Sequence, residues 1–114
     1  MSPRLDAAGK LRDVSPIFAA LGDATRLRLL ARLCVGGPLP TVRLTEGGNL
    51  TRQAITKHLR ALQGAGLVKS GRIGRECIWE LQPRRIAEVR RYLDQISGEW
   101  DRTLERLRDF VEDR

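Results

Sequence analysis

The chain has 114 residues and a formal net charge of +7, which leaves room for one domain and not for two ordinary ones. A hydrophobic fraction of 41% with charges spread along the chain excludes intrinsic disorder, and no run of about 18 apolar residues is available to span a membrane. Met1-Ser2-Pro3-Arg4-Leu5-Asp6 lacks the apolar core of a secretory signal, so the expected location is the cytoplasm.

In chain order, residues 1–14 are polar and loosely patterned, either a frayed arm or a first helix using Leu5, Leu11 and Val14, ahead of a folded domain over 15–114. Ser15-Pro16 reads as an N-cap followed by proline at the first helical position, opening a helix over 17–21 that stops at Gly22. Asp23 caps a helix from Ala24 to about Val35, with Leu27, Leu30 and Leu33/Cys34 as its inward stripe, and Gly36-Gly37-Pro38 ends it. Thr41 to Glu46 makes a short helix that points Val42 and Leu44 at the core, and Gly47-Gly48-Asn49 breaks it. Asn49 is placed at the turn position that needs a positive φ, which Asn tolerates well. Thr51 caps the next helix, with Leu50 and Ile55 spaced for a hydrophobic staple, and that helix runs to Ala65 and ends at Gly66.

Leu67 to Arg72 and Glu76 to Leu81 read as strands joined by a turn at Ile73-Gly74-Arg75, with Cys77, Trp79 and Leu81 on the buried face. After Pro83 the helical period returns and persists. Ile86, Val89, Leu93, Ile96, Trp100, Thr103, Leu107 and Phe110 recur at alternating spacings of three and four, and only Thr103 is not apolar. A helix over 84–112 would be about 43 Å long, more than one small domain needs internally. Gly98 lies opposite the seam and either kinks that helix or divides it.

The cysteines and the single histidine limit the chemistry. Cys34 and Cys77 fall in a helical and a strand pattern; pairing is open in principle, but such thiols are expected as small core hydrophobes. There is no CxxC spacing and His58 stands alone, so the about four soft ligands of a structural zinc site are missing and no metal or cofactor is expected. No paired carboxylates, no partner for His58 and no phosphate-binding glycine loop can be found, which argues against an enzyme. His58 is read as structural.

The charge is sorted. Residues 47–75 contain Arg52, Lys57, Arg60, Lys69, Arg72 and Arg75 and no Asp or Glu, whereas 94–114 holds seven acids against four bases. An unopposed basic stretch suits a polyanion. Laid out at about 100° per residue, the helix after Thr51 puts Ile55, Leu59 and Leu62 on one side. Arg52, Gln53, Thr56, Lys57 and Arg60 fall on the other, with Thr51 at its start. Gln can pair with adenine, Arg or Lys with guanine, and Thr can meet a thymine methyl. The order helix, helix, short helix, turn, helix, hairpin, long helix is that of a winged helix-turn-helix, mainly α with a small β-hairpin wing. Arg72 and Arg75 at the wing tip suit a phosphate backbone or a minor groove. The final helix suits dimerisation through Ile96, Trp100, Leu104, Leu107 and Phe110.

Asp23-Ala24-Thr25-Arg26-Leu27-Arg28-Leu29-Leu30 resembles the D-P-T-R-hydrophobic segment of ArsR-type regulators. Leu50-Thr51-Arg52-Gln53-Ala54-Ile55-Thr56-Lys57-His58-Leu59 is similar to their recognition helix, and Ala65-Gly66-Leu67-Val68 and Trp79-Glu80-Leu81 to the strands of their wing. The resemblance covers about residues 15 to 112. It implies a homodimer joined through its first and last helices and bound as a repressor to an inverted repeat in double-stranded DNA. The family's metal sensors often carry Cys-x-Cys in the third helix, where this chain has Pro40-Thr41-Val42, or histidines in the last helix, where it has none. The resemblance is therefore to the branch without those metal sites. Two alternatives stand beside it. A winged-helix protein-interaction module would need an exposed apolar recognition face, and a thiol or metal sensor would use Cys34 or Cys77.

Overall fold

The computed structural model describes residues 8–112. Its elements are α1 (Ala8–Leu21), α2 (Ala24–Gly36), β1 (Leu39–Pro40), α3 (Thr41–Thr45), α4 (Arg52–Gly64), β2 (Val68–Ile73), β3 (Glu76–Leu81) and α5 (Pro83–Glu112). The strands form one antiparallel sheet in the order β1-β3-β2. The architecture is the predicted one, mainly helical with a hairpin wing and a long last helix, except that β1 joins the sheet.

Helix α1 starts earlier than Ser15-Pro16 suggests, and Pro16 lies inside it. An interior proline forfeits a backbone bond and costs about 3 kcal/mol. Burial of Val14, Ile17 and Ala20 along one face offsets that. Leu5 lies outside the described residues. Asp23 caps α2 as expected, Oδ1 accepting from the Arg26 N–H at 3.1 Å. The inward stripe of α2 is Leu29 and Leu33 with Leu30 beside them; of the expected Leu27, Leu30 and Leu33/Cys34, Leu30 and Leu33 pack inward, and Leu27 and Cys34 do not. Leu27 and Cys34 are exposed because Arg26 turns inward, its Nε donating to His58 Nδ1 (3.3 Å) and its Nη1 to the Ala20 carbonyl (3.4 Å).

Helix α3 is a single five-residue turn, too short to stand by propensity. Two side chains hold it. The Trp79 indole N–H, buried on β3, donates to Thr41 Oγ1 at 2.9 Å, so Thr41 is the buried residue at the start of α3, beside Leu44. Val42, expected in the core, is half exposed. At the other end the Arg32 guanidinium donates to the carbonyls of Leu44 (2.9 Å), Glu46 (3.2 Å) and Arg43, the acceptors a helix leaves open at its C-terminus. In the turn that follows, Gly47 carries the positive φ (+77°); no described non-glycine residue has one, so Asn49 does not take the role assigned to it.

Thr51 caps α4 by accepting from the Ala54 N–H at 3.1 Å, and Ile55, Leu59 and Leu62 are buried as the periodicity predicts. The helix closes in a Schellman arrangement: Leu67 N–H donates to the Leu62 carbonyl (3.0 Å) and Gly66 N–H to that of Gln63 (2.9 Å). Gly66 has φ +79°, and a Cβ there would lie 2.8 Å from Arg85 Cγ. Arg85 in turn donates to Glu88 within α5 (2.7 Å) and to the Asp13 carbonyl (3.2 Å), the second bond tying α5 to α1. In the hairpin Val68 faces Leu81 and Ile73 faces Glu76, so β2 starts one residue later than expected and only Gly74 (φ +63°) and Arg75 form the turn.

Helix α5 is continuous over 30 residues, and Gly98 does not divide it. Its first half packs on the domain through buried Val89 and Tyr92, with Tyr92 edge-on to Phe18 of α1 at 6.3 Å. Its second half projects, which gives the molecule extents of 68 × 28 × 20 Å.

Candidate nucleic-acid interface

Helix α4 is amphipathic by sequence, and packing fixes which face is free. With Ile55 and Leu59 buried against Leu29, Leu33 and Leu44, the opposite side must face solvent. Arg52, Gln53, Thr56, Lys57 and Arg60 together line one shallow, open concavity there. Five of the six residues predicted on this helix are thus brought together. The sixth, Thr51, sits at its start with its hydroxyl oxygen engaged as the cap. Thr51, Arg52, Gln53, Lys57 and Arg60 are exposed and Thr56 is half-buried. No residue from 47 to 75 is acidic, so none of these cations is answered from within its own segment.

One cation of that segment is answered from outside it. Lys69 on β2 lies opposite Glu80 on β3 and pairs with it at 3.4 Å. Register rather than sequence distance makes that pair, which is why the charge count of 47–75 misses it. Arg72, opposite Cys77, and Arg75, in the turn, are both exposed at the wing tip. The wing is tied to α4 by a contact the sequence did not suggest: Gln63 Nε2 donates to Ser70 Oγ at 2.9 Å. Gln63 follows the predicted base readers around the helix, but its partner becomes visible only once β2 folds back.

His58 lies on the inner shoulder of α4 and accepts from Arg26, with Asp23 Oδ1 at 4.0 Å, in keeping with a structural role. The Asp23 carboxyl is held below its ordinary range, chiefly by the Arg26 N–H it accepts from and secondarily by the nearby His58, against some desolvation. Of the thiols, Cys34 is exposed and Cys77 half-buried against the core, so the expectation of two core cysteines fails for Cys34.

A second surface is apolar. Leu93, Ile96, Trp100, Leu104, Leu107 and Phe110 along α5 are exposed, Trp100 to 63% and Phe110 to 64%. Val89, part of the same periodic seam, belongs instead to the domain core, and Thr103 is half-buried. Among the described residues no helix is long and apolar enough to cross a membrane.

Comparison with known proteins bears on these surfaces. The family described as a helix-turn-helix domain matches residues 21–71, which run from the end of α1 through α4 into the wing. The HTH-type transcriptional regulator NmtR of Mycobacterium tuberculosis is 33% identical over 76 residues, 67% of this chain and 62% of that protein's length. The HTH-type transcriptional regulator Rv2034 of the same organism is 34% identical over 87 residues, 76% of this chain and 78% of that one. Among solved structures, an ArsR-like transcriptional regulator from Rhodococcus sp. RHA1 superposes with a TM-score of 0.83 at 34% identity, covering 96% of this chain and 99% of that one.

Proposed function

The chain belongs to the ArsR family of winged helix-turn-helix transcriptional regulators, and we propose that it acts as a homodimeric repressor on an inverted-repeat operator. The observation that carries the proposal is the outer face of α4. Its three cations share one concavity with Gln53 and Thr56 and no carboxylate among them, on a helix whose other side is anchored in the core. In helix-turn-helix docking the N-terminal turns of the second helix reach the base edges. That assigns Arg52, Gln53 and Lys57 to reading sequence, with Thr51, Thr56 and Arg60 beside them. Arg72 and Arg75 on the wing take the phosphate backbone.

The dimer is proposed through α5. A chain this small does not usually leave a run of large apolar side chains in water, and the run at Ile96, Trp100, Leu104 and Leu107, with Phe110 after them, lies beyond Tyr92, the last buried residue of α5. Two copies would present two α4 helices to successive major grooves, which matches a twofold operator with half-sites about 34–36 Å apart. The site of action is the cytoplasm.

Selection of bound DNA from a random pool, followed by footprinting at physiological salt, tests the proposal. A twofold-symmetric motif is expected. A motif without symmetry, or enrichment of no motif, would remove the operator reading.

A further inference from the structure

Behind the DNA-facing helix, between α2 and the α3–α4 turn, the structure leaves a crevice of about 330 Å³. Its walls include buried Leu29, Leu44 and Ile55, with half-exposed Leu50 at the rim, and its lining is mostly apolar. Gly47 and Gly48 lie along it without side chains, and a Cβ added to either would meet nothing closer than 3.9 Å, while Asn49 and Leu50 of the same turn complete the wall. This size, and an apolar floor with few polar groups, are those of small-ligand sites.

The polar groups on the wall are unequal. Arg32 also lines the crevice, but its guanidinium is engaged by the α3 carbonyls, and Glu46 pairs with Arg43 at 3.5 Å. Arg28 is exposed, and among the described residues its one hydrogen bond is donated to Thr25 Oγ1 at 3.2 Å, another wall residue. That bond uses one N–H of the guanidinium and leaves its other donors for a ligand; among the described residues no ion pair engages Arg28, the Glu46 carboxylate of the same crevice being paired with Arg43. An apolar floor beneath an unanswered guanidinium selects an amphipathic anion. A planar carboxylate fits it best, because it can take two parallel N–H bonds from the fork.

We propose that this crevice binds a small monocarboxylate with an apolar body, the carboxylate on Arg28 and the apolar part over Leu29, Leu44 and Ile55. The site stands apart from the operator reading, since it shares no residue with the outer face of α4 or with the wing. It can be tested in the absence of DNA.

The probe is octanoate, with octanol as its uncharged counterpart, titrated into the full chain and followed by amide and methyl chemical shifts. Saturable octanoate binding is expected, with the largest shifts at Leu29, Leu44, Gly47, Gly48 and Ile55. Octanol should bind about tenfold more weakly, as the loss of a charge-assisted hydrogen bond implies. Arg28→Ala should bring the two ligands to similar affinity, and Arg28→Lys should keep a preference for the acid. Thr25→Ala leaves the fork in place but unsteadied, and should weaken octanoate more than octanol. Shifts confined to α5, no saturation, or equal binding of acid and alcohol by the unsubstituted chain would each overturn the proposal.

Discussion

Helices α4 and α5 are built on the same principle and leave opposite surfaces to solvent. Both bury one apolar face against the domain: Ile55, Leu59 and Leu62 in α4, Val89 and Tyr92 in α5. The outer face of α4 is cationic and polar, whereas the free half of α5 carries Ile96, Trp100, Leu104 and Leu107. A solvated cationic face is stable as it stands and gains from a polyanion. An apolar face in water is at a disadvantage until a protein surface covers it. One regulator thus shows two kinds of unfinished surface, each specifying the chemistry of its own partner.

The difference can be pressed hardest by truncating an inner face and an outer one. Leu59→Ala, on the inner face of α4, should lower the unfolding free energy by about 2–5 kcal/mol, read by denaturant unfolding. Trp100→Asp or Leu107→Asp, on the free half of α5, should leave the helical circular dichroism of the domain intact. Either should weaken self-association by roughly 100-fold, in the range of an interface hot spot. Sedimentation of the unsubstituted chain as a monomer at micromolar concentration would remove the contrast altogether.

A smaller effect separates readers from anchors. Arg52→Ala, Gln53→Ala or Lys57→Ala should each cost roughly 1–3 kcal/mol on the selected operator and much less on random DNA. Equal losses on both would reassign all three to the backbone and leave sequence reading to DNA shape. Arg72→Ala and Arg75→Ala should weaken binding to every sequence and reduce the slope of affinity against salt by about one each. Salt-independent binding would exclude the wing from phosphate contact.

The smallest expected effect tests the scaffold behind both helices. Asp23→Ala should lower the unfolding midpoint slightly through the lost cap of α2, read by denaturant unfolding. Because the carboxyl lies below its ordinary value of 3.8 in the folded chain, its contribution is present above that pH and lost as the pH falls through the folded value. The unfolding midpoint of the unsubstituted chain should therefore drop more than that of Asp23→Ala between pH 5 and pH 2, a span of about three units chosen to bracket the carboxylate range.

What the sequence reveals divides along the same line. The caps at Asp23 and Thr51, the buried stripe of α4 and the pairing of β2 with β3 are local signals, carried by residues a few positions apart. The members of the α4 face were legible for that reason, since one helical period fixes them all. The stripe of α2 was not, because leucines at 27, 29, 30 and 33 satisfy more than one face, and only the inward turn of Arg26 toward His58 decides between them. Strand β1 has two residues and no pattern of its own; it exists because Leu39 and Pro40 lie beside Trp79 and Ile78. The Arg32 clamp on α3, the Gln63–Ser70 tie and the Lys69–Glu80 pair join residues whose proximity the chain order does not state.

Gly66 has a consequence at the level of the gene. Its φ of +79° asks for glycine, and Asn, the usual substitute, would bring a Cβ within 2.8 Å of Arg85 Cγ. To make room, the Arg85 side chain would have to shift, disturbing its bond to Glu88 and the bond to the Asp13 carbonyl that ties α5 to α1. Conformational tolerance and free space usually fail at different sites, which leaves most turn codons some latitude. Here they fail at one, so in a saturation library scored for folded protein codon 66 should return glycine almost alone, while codon 74, whose Cβ meets nothing within 4 Å, should also return asparagine and aspartate.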